Sequence, residues 1–230
     1  MDSSLSRAFT ESALGLALQT DKLLLFFGSK NATIENLKTS YPDLTFRKIK
    51  QTHSDIFVEN SVELVEADAH FTTFKNTALL ISSADCLPIL VYCHQTERVA
   101  SIHAGWKGVS NQIVFKSLKK LIATGSTEKK FSFWIGPHIQ QNSFEIEFAV
   151  LQQLKISAYN LKLNQYSQEK DQKYYVDLNQ IVSSQITAAS KKENFKWFSN
   201  IDTKTNNNYW SYRREKDKAG RNLSFITLLK

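Results

Sequence analysis

The stretch from Ala84 to Trp106 limits what this chain can fold into more than any other. It opens with Ala84-Asp85-Cys86-Leu87-Pro88, closes with His103-Ala104-Gly105-Trp106, and holds two apolar runs, Ile89 to Tyr92 and Val99 to Ile102. Both runs have the length and the Val, Ile and Tyr content of strands. The polar turn His94-Gln95-Thr96-Glu97 joins them into a short up-and-down pair. Such a pair returns its outer ends to one edge of a sheet, which sets Cys86 beside His103. A thiolate next to an imidazole can hold a transition metal or act as a nucleophile–base couple.

Composition bounds the rest. With 230 residues, 42% of them apolar and 12% aromatic, the chain can bury a substantial core as one large domain or two small ones. The balance of 29 Lys+Arg against 22 Asp+Glu gives +7, which favours anionic ligands such as phosphate. The basic residues lie in scattered doublets such as Lys119-Lys120, Lys129-Lys130 and Lys191-Lys192, so nucleic-acid binding is not indicated. Cys86 and Cys93 sit at opposite ends of one strand, too far apart for a disulfide, which suggests a reducing compartment. The N-terminus lacks the apolar core of a secretory signal, and no run approaches the roughly 20 apolar residues of a membrane span. The sequence therefore reads as a cytoplasmic protein without a membrane partner.

In chain order, residues 1 to 20 read as a loose arm and a short helix, and Leu23 to Phe27 as a buried strand ending at Gly28. Asn31 can cap a helix over Ala32 to Leu37, ended by Tyr41-Pro42. A strand carrying Phe46 and Ile49 leads into Gln51-Thr52-His53-Ser54, where His53 on its own reads as a surface-turn residue. Phe71 to Phe74 reads as a half-buried or edge strand, and Leu79-Leu80-Ile81 as a short buried strand feeding Asp85-Cys86. Ser110 can cap a helix to about Ala123, terminated by Gly125, whose N-terminus starts beside His103 and offers N–H groups to an anion. Phe131 to Ile135 reads as a strand, Glu145 to Leu154 as a helix, Asn160 to Lys173 as a polar loop, and Asn179 to Ser190 as an amphipathic helix. Phe195 to Ile201 and Leu223 to Leu229 close the chain as strands, with the basic patch Tyr212-Arg213-Arg214 between them. His70, His94 and His138 read as surface histidines.

Six elements occur in an order that resembles the YfiH family, also called the laccase-domain or peptidoglycan-editing-factor family. They are Gln51-Thr52-His53-Ser54, Ala67-Asp68-Ala69, Ser83 to Pro88, His103 to Gly108, Ile135-Gly136-Pro137 and Ser211 to Arg214. The resemblance covers roughly residues 45 to 230, and residues 1 to 44 diverge from the family. It implies an α+β fold, a single mixed α/β domain over residues 1–230 with two packed β-sheets flanked by helices. It also implies that His53, Cys86 and His103 bind one zinc, with copper as a substitute. Two imidazoles and a thiolate suit Zn²⁺, and three protein ligands leave a fourth position for water or substrate. Where the family carries glycine after its first histidine, this chain has Ser54, and cysteines common after the Gly-Pro element are replaced by Asn142 and Ser143.

The activity implied is on purine nucleosides: phosphorolysis of adenosine, inosine and methylthioadenosine, and deamination of adenosine. The partners are then a nucleoside and phosphate, in a monomer or homodimer. Arg213 and Arg214 could bind the phosphate, because guanidinium forks match its oxygens. Gln51, Trp106 and Lys107 join them as substrate-binding candidates, Trp106 by stacking on a base. Cys86, His103 and Asp85 are the catalytic candidates, Asp85 either transferring protons or orienting a ligating histidine. A blue multicopper oxidase is excluded by counting, since five histidines and one methionine cannot furnish its copper sites. Two other readings remain. In the first, Cys86 is an amidase nucleophile acting on serine-containing peptidoglycan precursors, with His103 as base and Asp85 or Asp68 as orienter. In the second, the chain is a metal-bearing interaction protein without turnover.

Overall fold

The computed structural model describes residues 8–123, 130–190 and 194–230. Strands β1 (Thr10–Ser12), β2 (Gly15–Gln19), β3 (Leu23–Gly28), β4 (Thr45–Lys48), β7 (Thr77–Ser83) and β15 (Asn222–Leu228) form one sheet in the order β1-β2-β3-β15-β7-β4. A second sheet runs β14-β10-β8-β9-β6-β5, from β5 (Phe57–Glu59), β6 (Ala69–Thr72), β8 (Leu87–Cys93), β9 (Arg98–Ala104), β10 (Phe131–Ile135) and β14 (Phe195–Phe198). Helix α1 (Ile34–Ser40) lies outside the first sheet. Helices α2 (Trp106–Ser110), α3 (Ile113–Ala123), α4 (Phe148–Ser157) and α5 (Leu178–Ser190) lie outside the second. A small sheet of β11 (Glu145–Ile146), β13 (Lys173–Val176) and β12 (Ser167–Lys170) stands beside α4. The expected mixed α/β fold of two packed sheets flanked by helices is the one observed.

The unbroken apolar strands follow from this layering, because a strand covered on both faces has no polar side. In β3, Leu23, Leu25 and Phe27 face the opposite sheet while Leu24 and Phe26 pack toward α1. In β8, Leu90 and Tyr92 face the inter-sheet core while Ile89 and Val91 face the helices. Strand β8 pairs antiparallel with β9, Pro88 opposite His103 and Leu87 opposite Ala104. The hairpin therefore delivers Cys86 and His103 to one edge, as its sequence predicts. Gly136 lets the sheets close: a β-carbon there would lie 2.2 Å from the Phe27 ring.

Several elements differ from expectation. Residues 10 to 19 form the hairpin β1–β2 and not a helix, pairing onto β3. Thr33, and not Asn31, caps α1, its hydroxyl accepting from the Asn36 N–H at 3.2 Å. Strand β6 is fully buried and lies inside its sheet between β9 and β5. The expected helix to Ala123 is two helices broken at Asn111-Gln112, where Gln112 has φ 63°. Ser110 ends the first of them, and Gly125 lies outside the described residues. Glu145 belongs to β11, with α4 starting at Phe148. The supposed loop over 160–173 contains β12 and leads into β13 through Asp171 and Gln172, both at positive φ, as a two-residue hairpin turn of the favoured hand requires. Cys86 and Cys93 are free, as expected. Among the described residues no helix is long and apolar enough to cross a membrane.

Candidate metal centre and substrate cavity

The centre is built on Asp68, fully buried immediately before β6. Its carboxylate accepts the N–H groups of Thr52, His53 and Ser54 at 3.1, 3.1 and 2.6 Å, and the Ser54 hydroxyl at 2.8 Å. His53 takes φ 59°, a left-handed conformation that turns successive N–H groups toward one anion. The same carboxylate meets His103 Nδ1 at 2.8 Å, which fixes the imidazole and leaves Nε2 for a ligand. Asp68 thus positions one histidine through its backbone and the other through its ring. Where the family carries glycine, Ser54 adds one bond to this turn, that of its hydroxyl to Asp68.

The ligand atoms of His53, Cys86 and His103 lie within 4.8 Å of one another, the Cys86 thiol 3.7 Å from His53 Nε2. The rings of His53 and His103 stand edge-on, with centroids 5.0 Å apart. Access is graded: His53 is exposed, Cys86 partly buried and His103 buried. Gly105 makes the approach possible, since a β-carbon there would lie 2.7 Å from His53 Cδ2 and 2.9 Å from Cys86 Sγ.

Electrostatics prepares the donors. Burial would raise the Asp68 carboxyl, but the hydrogen bonds from His103 and Ser54 hold it down to about 2. Burial would likewise raise the Cys86 thiol, yet the charge and hydrogen bond of His103, then of His53, draw it down to about 6. Burial pushes His103 down, and the Cys86 thiolate and Asp68 more than offset this, lifting it to about 9. The donor set of a thiolate and two imidazoles, one backed by a carboxylate, fits a zinc ion with an open fourth position.

These residues line a cavity of about 760 Å³. Gln51, Trp106, Lys107, Phe144, Tyr212 and Arg213 line it, with Lys216 and Arg221. Gln51 holds the Ser82 backbone, accepting its N–H at 2.8 Å and donating to its carbonyl at 2.7 Å. Lys107 Nζ lies 5.8 Å from the Trp106 ring centroid. Tyr212–Glu215 forms helix α6. Arg213 donates to the Glu145 carbonyl at 2.7 Å and lies 5.6 Å from the Phe144 centroid.

Three of the expected elements stand apart from the triad or differ in form. Arg214 does not line the cavity. Its guanidinium donates to the carbonyls of Thr203, Lys204, Asn206 and Tyr209 and pairs with Glu215 at 3.0 Å, so its donors are taken up by the loop. Asp85 orients neither histidine; its carboxylate accepts from the Thr203 hydroxyl and the Arg213 N–H. The helix at the His103 edge is the five-residue α2 without a side-chain cap, while the longer α3 starts only at Ile113. Asp68 is the residue that sequence reasoning undervalued, and its signal was a lone acid between Ala67 and Ala69. His70 and His138 are buried, not on the surface. His138 Nδ1 donates to the Gly136 carbonyl and Nε2 accepts from Asn179. His94 Nε2 lies 2.8 Å from the Ser132 hydroxyl. Among the described residues, His53, Cys86 and His103 form the one metal-competent group.

The family described as multi-copper polyphenol oxidoreductase laccase matches residues 29–229. A purine nucleoside phosphorylase of Clostridium acetobutylicum is 32% identical over 92% of this chain and 94% of its own. The purine nucleoside phosphorylase YfiH of Escherichia coli is 27% identical over 71% of this chain and 64% of its own. Among solved structures, YlmD from Geobacillus stearothermophilus superposes with a TM-score of 0.86 at 18% identity, covering 96% of this chain and 99% of that one. The Bacillus licheniformis hypothetical protein YfiH gives 0.85 at 20% identity with the same coverage.

Proposed function

This chain belongs to the multi-copper polyphenol oxidoreductase laccase family, the YfiH-like proteins, and on that premise we propose that it is a zinc-dependent purine nucleoside phosphorylase. The observation that carries the reading is the triad His53, Cys86 and His103 opening into a cavity lined by the cationic side chains of Lys107, Arg213, Lys216 and Arg221 and by aromatic rings. Its relatives' names supply the substrate class, adenosine, inosine and methylthioadenosine being the nucleosides to try. The copper in the family's description is not matched by residues for several coppers. His70, His94 and His138 lie outside the triad, so copper would at most replace zinc at the one site.

Phosphorolysis joins a phosphate oxygen to C1′ of the ribose as the bond from C1′ to the purine nitrogen breaks, so an anion must be held beside the sugar and the base kept still. Lys107 and Arg213 supply positive charge for the anion. Trp106 and Tyr212 offer ring faces to the base. Asp68 keeps His103 in one tautomer and holds the His53 turn, so the donor geometry is formed before substrate arrives. A metal held by the triad supplies Lewis acidity toward an oxygen of substrate or water. Deamination of adenosine would need a free proton carrier beside that oxygen. Asp85 is tied to Thr203 and Arg213, which favours phosphorolysis over deamination.

A second reading has a specific observation behind it. Cys86, His103 and Asp68 line up as thiolate, imidazole and orienting carboxylate, the arrangement of a cysteine amidase for serine-containing peptidoglycan precursors. Metal content separates the two. Protein purified without chelator should carry about one zinc per chain, lost in His53→Ala, Cys86→Ala and His103→Ala, and should release purine base from nucleosides only with phosphate. Wild-type protein without metal, or amide hydrolysis that survives chelation, would instead support the amidase.

A further inference from the structure

Three segments of the chain meet at one carboxylate beside the thiolate ligand. Asp85 occupies the turn between β7 and β8, immediately before Cys86, with φ 85°. That conformation is costly for a residue bearing a β-carbon and persists only where the surroundings enforce it. The surroundings here are the cavity-lining Ile139 and Arg213 and the buried Thr203. Oδ1 accepts from the Thr203 hydroxyl at 2.7 Å, Oδ2 accepts from the Arg213 N–H at 2.6 Å, and the Asp85 carbonyl accepts from the Ile139 N–H at 3.0 Å.

The contact joins the Arg214 guanidinium and the Ser211 cap in holding α6, and it is the one that reaches toward the triad. This helix has four residues and follows a stretch, 199–211, without strand or helix, so its own backbone bonds cannot hold its place. One peptide separates Asp85 from the Cys86 ligand, and one hydrogen bond separates it from Arg213. Arg213 is then aimed by the Glu145 carbonyl and the Phe144 ring. Asp85 thereby links the position of the guanidinium to the strand end that carries Cys86.

We propose that Asp85 is a positioning residue, whose carboxylate assembles an oxyanion subsite at Arg213 against the metal centre. The ligand class is an oxyanion of phosphate size, and in naming it the inference rests on the phosphorolytic reading above. Proton transfer is the rival role, and an isosteric amide separates the two. In Asp85→Asn the amide oxygen still accepts from the Arg213 N–H, and the amide nitrogen can donate to the Thr203 hydroxyl, which accepts as well as donates. Position is kept and proton transfer is lost.

The test titrates inorganic phosphate calorimetrically into zinc-loaded wild type, Asp85→Asn, Asp85→Ala and Thr203→Val. Zinc content and amide exchange of residues 211–216 are followed in each. Asp85→Ala should weaken phosphate by about tenfold or more and speed exchange at the Arg213 amide with zinc content unchanged, while Asp85→Asn stays within about threefold of wild type. Thr203→Val should shift the affinity in the same direction by a smaller factor, and it carries the test if Asp85→Ala fails to fold. An Asp85→Ala affinity within about twofold of wild type overturns the proposal, as does an Asp85→Asn protein as impaired as Asp85→Ala. If wild type binds no phosphate, the phosphorolytic reading falls, and exchange decides the positioning role alone. Unchanged protection of the Arg213 amide in Asp85→Ala would then end it.

Discussion

At position 105 there is room for a hydrogen and nothing larger. The backbone there, φ −72° and ψ 166°, is one that any residue adopts, so glycine is required by the neighbouring His53 and Cys86 and not by conformation. Gly105→Ala should accordingly leave the melting temperature little changed and lower zinc affinity by about ten- to a hundredfold, read by competition with a chromophoric chelator. Unaltered affinity would mean that the ligands converge elsewhere. Residues of this kind were unequally visible beforehand. Cys86 and His103 followed from strand patterning alone, whereas His53 needed the family resemblance, since its role depends on a left-handed backbone angle that composition does not encode. Adjacent arginines gave no sign that Arg213 would line the cavity and Arg214 would be absorbed by carbonyls, because a four-residue helix has no periodicity to read.

Among the elements, those with apolar cover on both faces were legible and those stabilised by their neighbours were not. Strands β3 and β8 are continuous apolar runs, β9 and β10 are largely apolar and buried, and helix α5 shows its inward face through Ile181, Val182 and Ile186. The β1–β2 hairpin was missed because it forms by adding to the edge of β3, a partner that local sequence does not reveal. Strand β12 was missed because Gln168, Glu169 and Lys170 all face solvent and its turn contains no glycine. The break between α2 and α3 escaped notice because the apolar spacing continues across it, with Val109, Ile113, Val114 and Leu118 buried in one cluster. That break is what lets α2 start directly after Gly105 while α3 packs against α5.

For the molecule as a whole, stability should depend on acid through imidazoles outside the ligand triad. Burial pushes His70 from 6.5 down to about 3, and lowers His138 as well. Above the unfolded value both states are neutral and pH has no effect through these groups. Below it the unfolded chain takes up a proton that folded His70 refuses, so stability falls as pH drops from 6.5 toward 3. The slope is about 1.4 kcal/mol per pH unit for each such group. Replacing His70 by Leu should remove one proton from this slope in denaturant midpoints compared at pH 7 and about pH 5, and an identical slope would show that His70 is not buried neutral. The passage of the chain from one sheet to the other, between β14 and β15, is ordered in another way. Its carbonyl oxygens gather around the Arg214 guanidinium much as a crown ether gathers around an ion, with the guest tethered to its host. Arg214→Ala would empty that ring, and free guanidinium at millimolar concentration, well below its denaturing range, should refill it and restore the loop that carries Thr203.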